Sequence, residues 1–171
     1  MPKFNQNLQK VTYVKHWSEN LFSFRINRPK SFKFRSGEFV MIGLPSQNNK
    51  PILRAYSIAS PSWSEELEFY SIIVKNGPLT SELKNIQIHD EIILMPKSTG
   101  TLVLDALKPG KRLFLFSSGT GFAPFASLIK EPETYEKYNK VIVTHTCRTV
   151  KELNYSKSII NECSSDELIK D

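Results

Sequence analysis

The rhythm of apolar and polar positions changes once along this chain, at Pro109-Gly110. Before that break the apolar runs are short and separated by Gly, Pro or Ser. Leu8 to Trp17 is rich in β-branched and aromatic residues and reads as a strand. Phe22, Phe24 and Ile26 alternate with Ser23 and Arg25, the signature of a half-buried strand. Ser36-Gly37 reads as a turn before a strand over Glu38 to Leu44, and Pro45 to Pro51 as a polar loop. Strands are expected over Arg54 to Ser60, Leu67 to Val74 and Asp90 to Met95. Pro61 to Glu65 is a loop, and Lys97 to Gly100 a polar turn before Thr101 to Leu104. A short helix is predicted over Ser81 to Ile86, with Thr80 or Ser81 as its cap. Strands at this spacing with Gly/Pro turns predict an antiparallel barrel or sandwich.

After the break strands alternate with helices. Arg112 to Phe116 is a continuous apolar run, expected to be a parallel strand buried on both faces. It leads through Ser117-Ser118-Gly119-Thr120-Gly121 into a helix over Phe122 to Lys130, with Pro124 tolerated in the first turn. Val141 to His145 is a second buried strand and Val150 to Cys163 a second helix. This order is the start of a βαβ dinucleotide-binding unit. The glycine pair lets the backbone approach a pyrophosphate, although it does not match GxGxxG.

Composition places limits without pointing to an activity. The 171 residues are 40% hydrophobic and 23% charged, the profile of a soluble globular protein. No apolar run is long enough to span a bilayer, and no signal-peptide core is visible, so a cytoplasmic protein is expected. Cys147 and Cys163 form no CxxC pair and no metal-ligand cluster; they read as reduced thiols, with a disulfide between them as the alternative. The net charge of +6 is concentrated near the start. The segment Arg25 to Arg35 is a candidate patch for an acidic partner; the alternative is a solvated strand and loop. No recognised nucleic-acid motif or stacking platform accompanies it.

The candidate chemistry centres on Arg54-Ala55-Tyr56-Ser57. In extended backbone Arg54 and Tyr56 point one way and Ser57 the other. Arg54 offers a donor fork for a phosphate, Tyr56 a flat face with a phenolic handle, and Ser57 one small hydroxyl. A flavin dinucleotide has both a diphosphate and a flat heterocycle to match. Asn76-Gly77-Pro78-Leu79-Thr80-Ser81, a turn opening a helix, is a natural diphosphate seat.

Four motifs in this order carry a resemblance: Arg54 to Ser57, Gly77 to Ser81, Ser98-Thr99-Gly100-Thr101-Leu102-Val103, and Ser118-Gly119-Thr120-Gly121-Phe122-Ala123-Pro124-Phe125. From about residue 8 to its end the chain resembles bacterial ferredoxin–NADP reductases, most closely the proteobacterial subgroup. The resemblance implies a Greek-key antiparallel barrel binding FAD over residues 1–108, followed by part of an α/β Rossmann-like NADP-binding domain over 109–171. It implies that Arg54 pairs with the FAD pyrophosphate, Tyr56 stacks on the isoalloxazine and Ser57 sits near N5, with Ser57 and Tyr56 as the catalytic pair. Ala55 belongs to the same motif, and Tyr70 matches a further FAD-contacting aromatic. Pro78, Leu79 and Thr80 match the phosphate-holding turn, and Thr120 a contact at the domain junction. Arg148 stands where the family places an arginine for the adenosine 2′-phosphate. His145 and Cys147 read as structural.

The implied reaction moves a hydride between NADPH and the flavin and single electrons to an acidic carrier, ferredoxin or flavodoxin; a monomer is expected. Family members continue beyond the point that matches Asp171, so the expectation is a C-terminally truncated member with its flavin half whole. The alternatives are a flavin reductase serving another acceptor and a non-catalytic FAD-binding module. No iron–sulfur cysteine set is present.

Overall fold

The computed structural model describes residues 7–45 and 51–169. The expected loop over Pro45 to Pro51 therefore falls largely outside the described residues. Six strands form one antiparallel sheet: β1 (Leu8–His16), β2 (Leu21–Asn27), β3 (Phe39–Gly43), β4 (Leu53–Ser57), β5 (Glu66–Ile72) and β6 (Glu91–Thr99). Their order is β4-β3-β6-β1-β2-β5. The late strand β6 returns to lie between β1 and β3. The sheet curls into a barrel that is not closed by a full ladder. Its edge strands meet at one bridge, Ile58 with Phe69, reinforced by the Ala59 N–H donating to the Glu68 carbonyl at 2.8 Å. Inward residues of all six strands and the following segments fill the barrel, among them Val11, Phe24, Ile42, Ile58, Phe69 and Ile92.

β6 runs on through Lys97 to Thr99, paired with Phe39 and Val40 of β3, where a turn was expected. The reason is Ser98, whose hydroxyl donates to Glu38 Oε2 at 2.6 Å and ties the polar stretch into the sheet. Glu38 is almost buried. Burial alone would raise its pKa, but hydrogen bonds from Ser98 and Arg35 and the Arg35 charge hold it below the ordinary carboxylate value.

Gly37, next to it, has φ +95°. A Cβ there would overlap the Leu102 carbonyl oxygen. Gly37→Ala therefore meets both left-handed strain and a backbone clash, and thermal or chemical denaturation should show a loss of about 2–5 kcal/mol.

The second sheet has two parallel strands, β7 (Gly110–Ser118) and β8 (Tyr138–Thr146). Between and after them come helices α2 (Ala123–Ile129), α3 (Pro132–Lys137) and α4 (Asn154–Ser165). The short α1 (Thr80–Leu83) belongs to the barrel side. The sequence reading missed α3, which has only six residues. Its start is marked by Pro132, and Thr134 is buried with its hydroxyl donating to the Leu128 carbonyl at 2.5 Å.

Burial of β7 on both faces is corrected. Leu113 and Leu115 are buried, while Phe114 is 49% and Phe116 70% exposed. Helices α2 and α4 cover one face of this sheet, and alternation along the strand leaves the two phenylalanines, stacked with centroids 6.0 Å apart, on the other.

The two sheets share a core. Leu21, Ala59 and Tyr70 from the barrel pack with Phe122, Leu128, Tyr155 and Ile159. That junction explains a second departure. Ser23 was expected on a solvent face of β2, yet it is fully buried and accepts a hydrogen bond from Trp17 Nε1 at 3.0 Å. Polar ties cross the same boundary: the Ser127 hydroxyl donates to the Ser60 carbonyl at 2.7 Å, and the Ser62 N–H donates to Glu131 Oε1 at 2.6 Å.

The basic segment also has internal partners. Arg25 pairs with Glu68, Arg28 donates to the carbonyls of Phe32, Ser62 and Ser64, and Arg35 meets Glu38 and Asp105. These three arginines hold loops and strands together. Lys30, Lys33 and Arg35 are exposed.

Candidate functional site

A cleft of about 500 Å³ opens where the barrel seam meets the second sheet. β4 supplies one wall. It is an edge strand, paired only with β3. Val40 and Ile42 are the register partners of Tyr56 and Arg54, which share one face of the strand; Tyr56 packs against the barrel core and Arg54 is exposed. Arg54, Ala55, Tyr56 and Ser57 all line the cleft. Among the described residues the Arg54 guanidinium donates only to the neighbouring Leu53 carbonyl, at 2.9 Å, and no carboxylate pairs with it.

Tyr56 packs edge-on against Phe69 and its hydroxyl lies 3.0 Å from the Ser71 hydroxyl. Burial raises its pKa, and the Ser71 contact opposes this only partly. The phenol stays protonated at neutral pH and keeps a proton to donate. The Ser71 partner was not visible in the sequence; pairing of β2 with β5 fixes its side.

Tyr70 also lines the cleft, but it is 3% exposed. Its ring stacks on Tyr155, centroids 4.1 Å apart and planes 18° apart. It is therefore part of the wall, backed by α4, rather than a free stacking surface. Burial pushes its phenol well above the ordinary range.

Pro78, Leu79 and Thr80 form the third wall. The expected capping by Thr80 or Ser81 does not occur. Thr80 Oγ1 instead accepts from the Val74 N–H at 3.1 Å, and the Ser81 hydroxyl donates to the Gly77 carbonyl at 2.6 Å. Both hydroxyls lock the turn and leave the N–H groups of Leu79 and Thr80 without a hydrogen bond among the described residues. Unpaired backbone donors beside a free guanidinium make a seat for an anionic group.

Thr120 and Gly121 complete the cleft from the second sheet. A Cβ on Gly121 would meet nothing, so bare backbone faces open space there. Gly119 holds φ +52°, which reserves the position for glycine. Its carbonyl is held by His145, whose Nε2 lies 2.9 Å away, while Nδ1 faces the Ser156 hydroxyl at 2.7 Å and Phe122 stacks on the ring. His145 thus braces the glycine loop, a partner the sequence did not show.

Burial lowers the His145 pKa below 6.5, with the Gly119 hydrogen bond opposing. Protonation therefore favours the unfolded chain. The His145 contribution is complete above about pH 6.5 and is lost as pH falls through the lower folded-state value. Melting temperatures of the wild type and His145→Asn should converge as pH falls through that window, because the variant lacks this loss.

Arg148 is not in this cleft. It lines a neighbouring one of about 640 Å³ together with Ser118, Gly119 and Glu152. The two clefts are contiguous: Ile72 and Val74 line both. The stretch Ser98 to Val103 reaches neither cleft; its work is the Glu38 and Gly37 packing described above.

The residues present fit a flavin dinucleotide. They offer a free guanidinium and two unpaired N–H groups for a diphosphate, a phenol and hydroxyls for a heterocycle, and open backbone at Gly121.

Among the described residues no helix is long and apolar enough to cross a membrane. The model of the oxidoreductase FAD-binding domain family matches residues 6–114. The flavodoxin/ferredoxin–NADP reductase of Rhodobacter capsulatus is 61% identical over 161 residues, covering 94% of this chain and 60% of the relative. The ferredoxin–NADP reductase of Azotobacter vinelandii is 49% identical, covering 95% of this chain and 63% of the relative. A ferredoxin NADP+ reductase from Neisseria gonorrhoeae, solved with bound FAD and NADP, superposes with a TM-score of 0.86 at 29% identity, covering 92% of this chain and 63% of that one. The chain thus spans about three fifths of the length of the curated relatives it matches.

Proposed function

Because the chain belongs to the oxidoreductase FAD-binding domain family, we propose that it binds FAD in the Arg54–Thr120 cleft and NADPH beside it, and works in electron exchange between NADPH and ferredoxin or flavodoxin. Residues 1–108 are the flavin-holding unit and 109–171 contribute to the nucleotide side. The observation that carries this reading is convergence. Nine of the ten candidate residues, drawn from four separate stretches of sequence, line one cleft, and the tenth, Arg148, lines the cleft adjoining it.

When bound, the flavin supplies two-electron exchange with a nicotinamide and one-electron exchange with a carrier. The chain's own residues bind and orient. Arg54 and the Leu79 and Thr80 N–H groups hold the diphosphate. The protonated Tyr56, braced by Ser71 and Phe69, supports the ring. Ser57 would offer its hydroxyl to the bound ring. Ile72 and Val74 give the wall common to both clefts an apolar surface. Arg148 takes the 2′-phosphate and so favours NADPH over NADH. The setting proposed is cytoplasmic.

The test is anaerobic mixing of the FAD-loaded chain with NADPH, followed by visible absorbance. Bleaching in the wild type with at least tenfold slower bleaching in Ser57→Ala, on the order of one removed hydrogen bond, supports both the activity and the Ser57 role. An equal rate in the variant removes that role; no bleaching in the wild type removes the activity.

A further inference from the structure

The cleft that holds Arg148 has charged side chains on both walls, and they decide what it attracts. Arg148 and Glu152 come from the segment after β8; Lys75 comes from the turn after β5, on the barrel side. Arg148 and Glu152 cancel in formal charge. The Glu152 carboxylate accepts the Arg148 backbone N–H at 3.0 Å, so it stays on that wall. The sign of the cleft's charge therefore rests on Lys75. With it the lining side chains sum to +1; without it they sum to zero.

Lys75 is also held in place. It sits in a tight turn with Asn76 at φ 61°, closed by the Gly77 N–H donating to the Val74 carbonyl at 2.9 Å. The Val74 N–H donates to Thr80 Oγ1 on the other side of the same turn. The backbone carrying Lys75 is thus tied to the turn that seats the neighbouring diphosphate, while its side chain is exposed and has no ion-pair partner among the described residues.

We infer that Lys75 is a specificity-determining residue of this cleft, supplying from the barrel side the positive charge that lets it hold a nucleotide bearing more than one phosphate group. The inference rests on the reading of this cleft as the NADPH site. It makes the barrel, and not only the α/β unit, a determinant of nucleotide choice. A ligand contacting both walls is held across the junction.

The probe is adenosine 2′,5′-bisphosphate, titrated by calorimetry into the full chain loaded with FAD, at two salt concentrations. The flavin bands report that each variant is folded. Lys75→Ala should weaken binding about fivefold at low salt, with a shallower salt dependence, and Lys75→Arg should restore both. A structural role for Lys75 would not be rescued in the salt slope. Unchanged affinity in Lys75→Ala, with Arg148→Ala weakened, would overturn the inference and leave the NADPH site standing. Unchanged affinity in both variants, or no binding by the wild type, would overturn the site itself.

Discussion

Arg54→Ala should lower the affinity of the chain for FAD by about 10- to 100-fold, the cost of removing charge-assisted hydrogen bonds to a diphosphate. The side chain is exposed, and its single internal hydrogen bond among the described residues goes to the adjacent Leu53 carbonyl. The apo protein should therefore melt at the wild-type temperature. The effect appears only in the ligand titration, or as loss of the extra stability that FAD confers on the wild type. Arg54→Lys should recover part of the affinity, because an ammonium keeps the charge but loses the planar fork. Wild-type affinity in Arg54→Ala would place the diphosphate elsewhere.

The largest effect on folding is expected at Tyr155. This ring is fully buried at the junction, stacked on Tyr70 and meeting Trp17 and Phe122 edge-on. Tyr155→Ala should cost about 3–5 kcal/mol, the range for removing a large buried aromatic. It should also loosen Tyr70, a wall of the cleft proposed for the flavin, so FAD affinity should fall with stability. Tyr155→Phe separates packing from polarity. The hydroxyl is buried near the Glu68 carboxylate and, among the described residues, no group lies in hydrogen-bonding geometry to it. Its removal relieves an unsatisfied group, so the phenylalanine variant should be as stable as the wild type or more so. Urea denaturation of the three chains measures both. A phenylalanine variant as weak as the alanine one would mean that the hydroxyl, not the ring, holds the junction.

How much of this was readable beforehand depends on the range of the interaction concerned. β4 was legible as a strand, and the shared face of Arg54 and Tyr56 with it, because both rest on local alternation along the pleat. The strand β2 was legible as a strand but not in its environment. Its outer face carries Ser23, and only the arrival of the second sheet buries it. The same limit applies to β7. A run such as Leu113 to Phe116 gives the same pattern whether one face or two is covered, and here Phe114 and Phe116 face outward.

The hydroxyls of Thr80 and Ser81 showed why a cap signal is ambiguous. Ser and Thr can serve a helix start or lock the preceding turn, and Val74 offered an N–H at bonding distance. Arg25, Arg28 and Arg35 counted as a charge patch in the sequence because their partners, Glu68, the Ser62 and Ser64 carbonyls and Asp105, lie far along the chain. For the same reason no spacing rule could assign Arg148 to a cleft separate from that of Arg54.

The most direct test is a titration of the purified full chain with FAD, read by visible absorbance and flavin fluorescence. One equivalent taken up, with shifted flavin bands in the wild type and lost uptake in Arg54→Ala, is the predicted result. A chain with the circular dichroism of a folded β-rich protein that takes up no FAD would contradict the assignment of this cleft.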